Sequence, residues 1–235
     1  METEKRGLKS MPEAMGFFKS LADIDTESPE FKAFLAKLPD KLPEPEIKTP
    51  TDQDFWNACD IPTRFRREFA SLEAPGYWMD KFTLLKEKIF SKAGFCLVIR
   101  GPRGTGKTQL AIEALKYGYQ YKGMQCKITS ARDIQLETIA SFKKQNESDK
   151  DVLDRFIWVD LLLIDEFDWQ PEDRAHYFNN NMFHLLDKRY QWCKSTILTS
   201  NATIEEFEKN TDPGILSRMN EAGGRIDCDG WKCYR

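Results

Sequence analysis

A glycine-rich loop that ends in a lysine and a threonine carries the clearest chemistry in this sequence. Residues 101–108 read GPRGTGKT, which satisfies the pattern GxxxxGK[S/T] in full. Glycines let the backbone curl, so that successive N–H groups converge on phosphate oxygens at the N-terminus of a helix. The loop therefore predicts a nucleotide-phosphate site. Its candidate residues are Gly101, Pro102, Arg103, Gly104, Thr105, Gly106, Lys107, Thr108 and Gln109.

The last two residues of this loop have distinct expected roles. Lys107 is expected to neutralise the β- and γ-phosphate oxygens, and the Thr108 hydroxyl to ligate Mg²⁺. The same pattern also arises by chance in glycine turns. Here it follows the apolar run 95–100 and opens a helical pattern, which is the context that the motif requires. We therefore expect ATP with Mg²⁺ as the ligand.

An aspartate and a glutamate follow the apolar run at residues 161–164. Asp165 is expected to hold Mg²⁺ through water, and Glu166 to polarise an attacking water. The alternative is a pair of solvated carboxylates that closes a strand. If the first interpretation holds, the pair favours hydrolysis over phosphoryl transfer to a small molecule.

An asparagine ends another apolar run, residues 195–200. Asn201 would stand beside the γ-phosphate, between the loop and the acidic pair. It could also cap the helix predicted over residues 202–210, and the two roles are compatible.

Alternating strands and helices from about residue 55 must position these polar residues. The run 161–165 is apolar on both faces, which indicates a sheet covered by helices. Alternation of this kind predicts an α/β fold with a parallel sheet and right-handed crossovers. The predicted strands are 95–100, 126–131, 161–165 and 195–200, and the main predicted helices are 79–90, 107–121, 134–142, 152–159 and 177–192.

The first 50 residues have a different character. Residues 12–24 and 28–38 carry apolar side chains at helical spacing, and the twelve residues 39–50 include four prolines. Short amphipathic helices bury little alone, so they either pack on their own domain or dock onto another protein. We predict a helical partner-binding segment with a proline-rich linker over 1–50, and an ATPase domain over 51–235.

The composition limits the possible partners. With 40% hydrophobic and 31% charged residues and a net charge of −3, the chain offers no global affinity for nucleic acids or membranes. No apolar run approaches the roughly 18 residues that a membrane span needs. None of the six cysteines forms a CxxC pair, and the only histidines are His176 and His184, so we expect no zinc site. We expect a reduced, cytoplasmic protein with no membrane partner.

The loop, the acidic pair and the strand ending in Asn201 together resemble the AAA+ ATPases, in which that asparagine is called sensor 1. The resemblance implies a P-loop NTPase three-layer sandwich with a parallel central sheet, here preceded by a small helical N-terminal segment. The stretches NACDIPTRFR, VDLLLIDEF, LLDKRYQWCKSTILTSNATIEEF and ILSRMNEAGGRIDCDGWKCYR are further similar to the DnaC/DnaI-type bacterial helicase loaders. This similarity covers about residues 57–235, and the IstB-type transposase helper ATPases share much of it.

The resemblance also assigns roles to two arginines. Arg218 matches the arginine finger that reaches the nucleotide of a neighbouring subunit, so it implies self-association. Arg235 matches the sensor 2 arginine, which acts in its own subunit. For either arginine the alternative is a surface ion pair.

Single-stranded DNA contact is expected locally. In the helicase loaders the region of Phe142, Lys143 and Lys144 belongs to a helical element that lines a DNA channel. An aromatic ring beside lysines suits base stacking with phosphate contact. The alternative places Phe142 in the core and leaves two solvated lysines. By the same resemblance, residues 61–67 (IPTRFRR) are expected at the adenine edge.

The resemblance predicts an ATPase that loads a replicative DNA helicase onto single-stranded DNA, with the N-terminal helices gripping the helicase. An IstB-like transposase helper and an ATP-sensing adaptor without productive turnover are the alternatives. Glu166 and Arg218 argue against the adaptor, because both point to hydrolysis.

Overall fold

The structure of the chain is a computed structural model that describes residues 49–67, 76–91, 94–144, 147–168 and 172–233. The predicted N-terminal helices and Arg235 lie outside the described residues. The elements in the described part are α1 (Asp52–Ala58), a 3₁₀ turn (Thr63–Phe65), α2 (Gly76–Ser91), β1 (Cys96–Arg100), α3 (Lys107–Lys122), β2 (Cys126–Ser130), α4 (Ala131–Ser141), α5 (Asp149–Ile157), β3 (Leu161–Asp165), α6 (Glu172–Gln191), β4 (Ser195–Ser200), α7 (Ile204–Asn210), α8 (Pro213–Ala222) and β5 (Gly224–Asp227).

The five strands form one parallel sheet in the order β2-β3-β4-β1-β5. In the register of the sheet, Ile197 pairs with Leu97 on one side and with Leu163 on the other. Parallel strands end at the same edge, so the residues that follow β1, β3 and β4 come together. This confirms the α/β fold and the parallel sheet predicted from the alternation of elements.

Side chains alternate between two apolar layers on the faces of the sheet. Leu97 and Ile99 pack with α1, α2 and α3, whereas Val98 packs with the helices α4 to α8. The continuous apolar strand β3 divides in the same way, because Leu163 belongs to the first layer and Leu162 to the second. The arrangement is therefore helix, sheet, helix, as a sheet that is buried on both faces requires.

Capping residues set the ends of several helices. Ser148 and Asp151 form a capping box at the start of α5, and Thr203 and Glu206 form another at the start of α7. Each box satisfies two backbone N–H groups that the helix itself leaves unpaired. The box at Ser148 explains why α5 begins at Asp149, three residues before its predicted start at 152.

A buried arginine ties α6 to the sheet. Arg189 is 1% exposed, and its guanidinium donates to the carbonyls of Phe156, Ile157 and Val159 and to the Thr196 hydroxyl. Burial lowers the pKa of Arg189 to about 9. The carbonyls at the end of α5 thus gain donors that the helix cannot supply.

Two elements were missed by the sequence-based prediction. Helix α1 has seven residues, of which only Phe55 is buried, and β5 has four residues, of which only Ile226 is fully buried. Neither segment is long enough to show an apolar period. Strand β5 pairs with β1 at the edge of the sheet, and Arg100 of β1 adds ion pairs with Asp227 and Asp229.

Candidate nucleotide site

The glycine-rich loop joins β1 to α3 at the carboxyl end of the sheet. Gly104 and Gly106 have φ angles of 86° and 88°, a left-handed backbone that residues with a Cβ rarely adopt. A Cβ on Gly101 would lie 3.0 Å from the backbone carbon of Cys228, which closes the space behind the loop. The conformation of the loop therefore depends on its glycines, as a phosphate cradle requires.

The lysine of the loop lies beneath its curve. Lys107 is 6% exposed, and its Nζ donates to the carbonyls of Gly101 at 2.7 Å and Pro102 at 2.8 Å. It also donates to Oδ1 of Asn201 at 3.1 Å. Because Thr105 donates its hydroxyl to the same Pro102 carbonyl at 2.9 Å, the loop folds closely around the ammonium group. The structure thus brings the P-loop lysine and Asn201 together.

The threonine of the loop meets the first acidic residue. Thr108 Oγ1 donates to Oδ1 of Asp165 at 2.9 Å, and the Thr199 hydroxyl donates to the same oxygen. Hydroxyl and carboxylate oxygens are the ligands that Mg²⁺ prefers, and in nucleotide sites the protein supplies only one or two of them. Among the described residues no group of three or more histidine, cysteine or acidic side chains could hold a metal. The Thr108 hydroxyl and the Asp165 carboxylate have the ligand chemistry to take part in holding Mg²⁺.

The second acidic residue occupies a turn directly after β3. Glu166 is exposed and has a φ angle of 51°, so its backbone is left-handed. Its N–H donates to Thr199 Oγ1 at 3.0 Å, and the next N–H, of Phe167, donates to the Thr199 carbonyl at 2.7 Å. Glu166 is one of the residues that line the cavity formed by the loop.

A third acidic residue, missed by sequence reasoning, orders the end of β4. Oδ1 of Asp168 accepts hydrogen bonds from the Ser200 hydroxyl and from the Asn201 N–H, the latter at 3.2 Å. The sequence signal was the second aspartate of IDEFD, which follows Glu166 by two residues. The alternative role of Asn201 as a helix cap is wrong, because Thr203 caps α7.

The loop and the ends of β3 and β4 line one cavity of about 260 Å³, and Asp168 supports it from outside the lining. The 3₁₀ turn adds Arg64 and Phe65 to its wall, and Arg67 joins them. Their position agrees with the expected contribution of residues 61–67 to a nucleotide site. The lining residues from the loop and the strand ends are Arg103, Gly104, Gly106, Lys107, Thr108, Gln109, Asp165, Glu166, Thr199 and Asn201.

A buried polar row runs along α3 away from this cavity. Gln109 donates to Oε1 of Glu113 at 3.0 Å, and Lys116 Nζ lies 2.9 Å from the other oxygen of Glu113. Lys116 also pairs with Asp52 of α1 at 3.1 Å. Burial raises the pKa of Glu113, whereas the charge of Lys116 acts in the opposite direction. The row links the helix that carries the P-loop to the first helix of the domain.

Comparison with known proteins identifies the family. The sequence matches the family described as IstB-like ATP binding protein over residues 41–218, which is most of the chain. The chain belongs to the IstB-like ATP-binding protein family. Membership of this family implies nucleotide binding, and the glycine-rich loop is the part of the structure that fits a phosphate group.

Curated relatives of this IstB-like protein include the replicative helicase loader DnaC of Escherichia coli K12 and that of Shigella flexneri. Each is 27% identical over 138 residues, which are 59% of this chain and 55% of the relative. The chain thus spans about half the length of the curated relatives that it matches.

Solved structures with the same fold include a DnaC helicase loader, with a TM-score of 0.59 and 17% identity over 74% of this chain and 97% of that one. DnaI has a TM-score of 0.56 and 16% identity over 74% and 94% of the two chains. The initiator DnaA, bound to AMPPCP and single-stranded DNA, has a TM-score of 0.55 and 21% identity over 67% and 48%. The likeness confirms the predicted AAA+ P-loop sandwich.

The predicted trans-acting arginine of this IstB-like protein lies on α8, outside the cavity lining. Arg218 forms an ion pair with Asp187 of α6, and its guanidinium carbon lies 5.0 Å from the ring centre of Tyr190. The side chains of Arg218 and Asp187 are 27% and 17% exposed. The structure thus shows Arg218 in an ion pair within its own chain, which is the alternative to the arginine finger given by the sequence analysis. Its role towards a second subunit stays a prediction.

The residues predicted to contact DNA lie at the end of α4, also outside the cavity lining. Phe142 is 65% exposed, so the alternative that placed it in the core is wrong. Its ring lies 5.6 Å from that of Tyr177, and Lys144 pairs with Glu147 at 2.6 Å, while Lys143 is exposed.

Among the described residues, every helix is too short or too polar to span a membrane.

Proposed function

We propose that this IstB-like protein is an ATP-hydrolysing helicase loader that acts on a replicative DNA helicase and single-stranded DNA. The observation that carries the hydrolytic part is the meeting of Lys107, Asp165, Glu166 and Asn201 at one cavity. The similarity to DnaC, a replicative helicase loader, supports the biological part.

In the proposed reaction the oxygen of a water attacks the γ-phosphorus, and the bond between that phosphorus and the β–γ bridging oxygen breaks. Glu166 accepts the proton that the water loses, so ADP and inorganic phosphate are the products. An exposed carboxylate in the cavity wall suits this role because water reaches it freely. Its left-handed backbone is held in place by Thr199.

The P-loop lysine would exchange its present acceptors for phosphate oxygens. Its hydrogen bonds to Gly101, Pro102 and Asn201 go to neutral oxygens. A charged phosphate oxygen is a stronger acceptor for an ammonium group. Asn201, released from Lys107, would then be free to turn its side-chain amide towards the γ-phosphate.

Thr108 and Asp165 would hold Mg²⁺, Thr108 directly and Asp165 through water. The ion, when bound, neutralises charge on the β- and γ-phosphates. The two oxygens lie 2.9 Å apart, close enough for both residues to take part in the coordination of one ion.

Two arginines complete the proposed site. Arg218 would leave Asp187 and reach the nucleotide of a neighbouring copy, where its charge stabilises the transition state. Turnover would then require assembly. By resemblance, Arg235 would act on the nucleotide of its own subunit.

The partners would be bound away from the nucleotide. We place the helicase on the predicted helices of residues 1–50, and single-stranded DNA on Phe142, Lys143 and Lys144. The exposure of Phe142 supports the second assignment, because a ring in solvent is available for stacking.

Helicase capture by the full-length chain tests the loader assignment. Leu38→Asp places a charge on the apolar face of the second predicted helix, whereas Lys37→Asp places the same residue off that face. We expect Leu38→Asp to reduce capture of the purified host helicase at least tenfold and Lys37→Asp to leave it nearly unchanged. ATP binding should be equal in both. Equal capture by the two variants would contradict the assignment of helicase binding to this segment.

A turnover measurement separates the loader from an ATP-sensing adaptor. The full-length chain is assayed for phosphate release alone, with single-stranded DNA, and with helicase. A loader should release phosphate at a rate that rises with assembly. Tight ATP binding without release under any of these conditions would favour the adaptor.

A further inference from the structure

We infer that Thr199 is a positioning residue for hydrolysis, whose hydroxyl holds both members of the acidic pair in place. The inference rests on the proposed function, since it concerns the rate of ATP turnover. Thr199 lies in β4 and is 2% exposed, directly before Ser200 and Asn201. It is not part of the GxxxxGK[S/T] pattern or of the acidic pair, so no motif points to it.

One hydroxyl makes two contacts that reach adjacent residues. Oγ1 of Thr199 donates to Oδ1 of Asp165 and accepts from the backbone N–H of Glu166 at 3.0 Å. A hydroxyl has one proton to donate and lone pairs to accept with, so the two hydrogen bonds form at once. Serine keeps this hydroxyl, whereas valine has the shape of threonine but no hydroxyl.

The contact to Glu166 fixes an unfavourable backbone. A φ angle of 51° is costly for a residue with a Cβ, and it persists only where neighbouring groups determine it. Thr199 supplies two such groups: its hydroxyl receives the N–H of Glu166, and its carbonyl receives the N–H of Phe167 at 2.7 Å. The turn after β3 is therefore pinned to β4 on both sides of the Glu166 carboxylate.

The contact to Asp165 fixes the carboxylate proposed to hold Mg²⁺. Its Oδ1 receives the hydroxyl of Thr199 from β4 and the hydroxyl of Thr108 from α3. Two donors from different elements restrict rotation of the carboxylate, which reduces the reorganisation needed when the ion binds. Thr199 is thus the point at which β4 sets the positions of both acidic residues relative to the P-loop.

Thr199→Val tests the inference, because valine keeps the shape and removes the hydroxyl. Thr196→Val is the matched control: Thr196 is in the same strand and also 2% exposed, and its hydroxyl accepts from Arg189 at 2.8 Å, outside the cavity lining. We expect Thr199→Val to lower kcat at least tenfold with KM for ATP changed less than threefold. Thr199→Ser should keep most of the turnover. Thr196→Val should lower the melting temperature and leave kcat within about twofold of the parent.

A second readout does not depend on turnover. ATP affinity is measured by fluorescence titration with Mg²⁺ and with excess EDTA. Thr199→Val should bring the ratio of the two affinities closer to one than in the parent or in Thr199→Ser, because Asp165 is less well fixed. If Thr199→Val does not fold, kcat and the ratio of ATP affinities are measured on Thr199→Ala instead.

Three results would overturn the inference: an unchanged kcat in Thr199→Val, an equal loss of kcat in Thr196→Val, or an unchanged Mg²⁺ ratio. Failure of the proposed function has a different signature. In that case the parent chain releases no phosphate, while the Mg²⁺ ratio still reports on Thr199.

Discussion

Nζ of Lys107 and Oδ1 of Asn201 lie 3.1 Å apart, although the two residues are 94 positions apart in the sequence. The hydrogen bond joins the loop after β1 to the end of β4, which is the neighbouring strand of the sheet. Both groups are predicted to face the γ-phosphate, so ATP would have to enter between them. The contact thus marks the place where binding and hydrolysis are expected to be coupled.

Replacement of the P-loop lysine should strongly weaken nucleotide binding. In Lys107→Ala the phosphates lose a charged donor, and hydrogen bonds to charged groups contribute about 1.5–3 kcal/mol, or roughly 10- to 150-fold in affinity. Titration with a fluorescent ATP analogue measures the loss. Lys188→Ala, on α6 and outside the cavity lining, is the control and should bind as the parent does. Equal binding by both variants would contradict the assignment of Lys107.

Replacement of the asparagine should separate binding from turnover. Loss of one preorganised donor near the transferred phosphoryl group lowers kcat roughly 10²-fold. Because Lys107 keeps its carbonyl partners in Asn201→Ala, we expect ATP affinity to change by only a few fold. Phosphate release and ATP titration measure the two effects, with the exposed Asn220→Ala as control. A parallel loss of affinity and kcat would instead make Asn201 a binding residue.

The sequence was sufficient to predict the sheet strands that carry the motifs. Strand β3 is apolar on both faces and ends at Asp165, and its observed bounds equal the predicted ones. Strand β5 could not be predicted, because only Ile226 of its four residues is fully buried. It pairs with β1, and Arg100 of β1 contacts Asp227, which lies 127 positions further along the sequence. Long-range ion pairs of this kind leave no local pattern.

The sequence predicted those residues of the candidate site whose type and spacing are themselves required by the chemistry. Glycines, the lysine and the acidic pair are specified by their spacing and by the strands before them. Thr199 and Asp168 were missed because their contribution is a hydrogen bond to another part of the site, which depends on the register between β3 and β4. Any hydroxyl or carboxylate near a strand end has the same appearance in the sequence.

The ion pair between Arg218 and Asp187 gives a test of assembly. Arg218→Ala should leave ATP affinity unchanged and lower turnover only at protein concentrations at which copies associate. Asp187→Asn removes the charge that holds the arginine, and a partly exposed pair contributes only about 0–1 kcal/mol to stability. We therefore expect Asp187→Asn to turn over ATP at least as fast as the parent. Turnover is measured against protein concentration, beside thermal unfolding.

A purely structural role for Arg218 would give the opposite pattern. Both variants would then unfold at lower temperature, and their turnover would keep the concentration dependence of the parent.

The exposed ring at the end of α4 allows a matched test of DNA binding. Phe142→Ala should weaken binding of a fluorescent oligodeoxythymidylate by about 1–3 kcal/mol for a stacked base, or roughly 5- to 150-fold. Phe90→Ala is the control, because Phe90 is on α2 and 67% exposed, close to the 65% of Phe142. Each ring has one aromatic or cationic neighbour, Tyr177 for Phe142 and the Lys122 ammonium for Phe90, so we expect each change to lower the free energy of unfolding by only about 1 kcal/mol.

The lysine beside this ring separates stacking from phosphate contact. Lys143→Ala should reduce the slope of log affinity against log salt concentration by about 0.7, the value for one phosphate of a single strand. Phe142→Ala should leave that slope unchanged, because stacking releases no counterions. Fluorescence anisotropy at several salt concentrations measures both slopes. Equal affinity losses in Phe142→Ala and Phe90→Ala, or a salt slope unchanged by Lys143→Ala, would place the DNA elsewhere on the molecule.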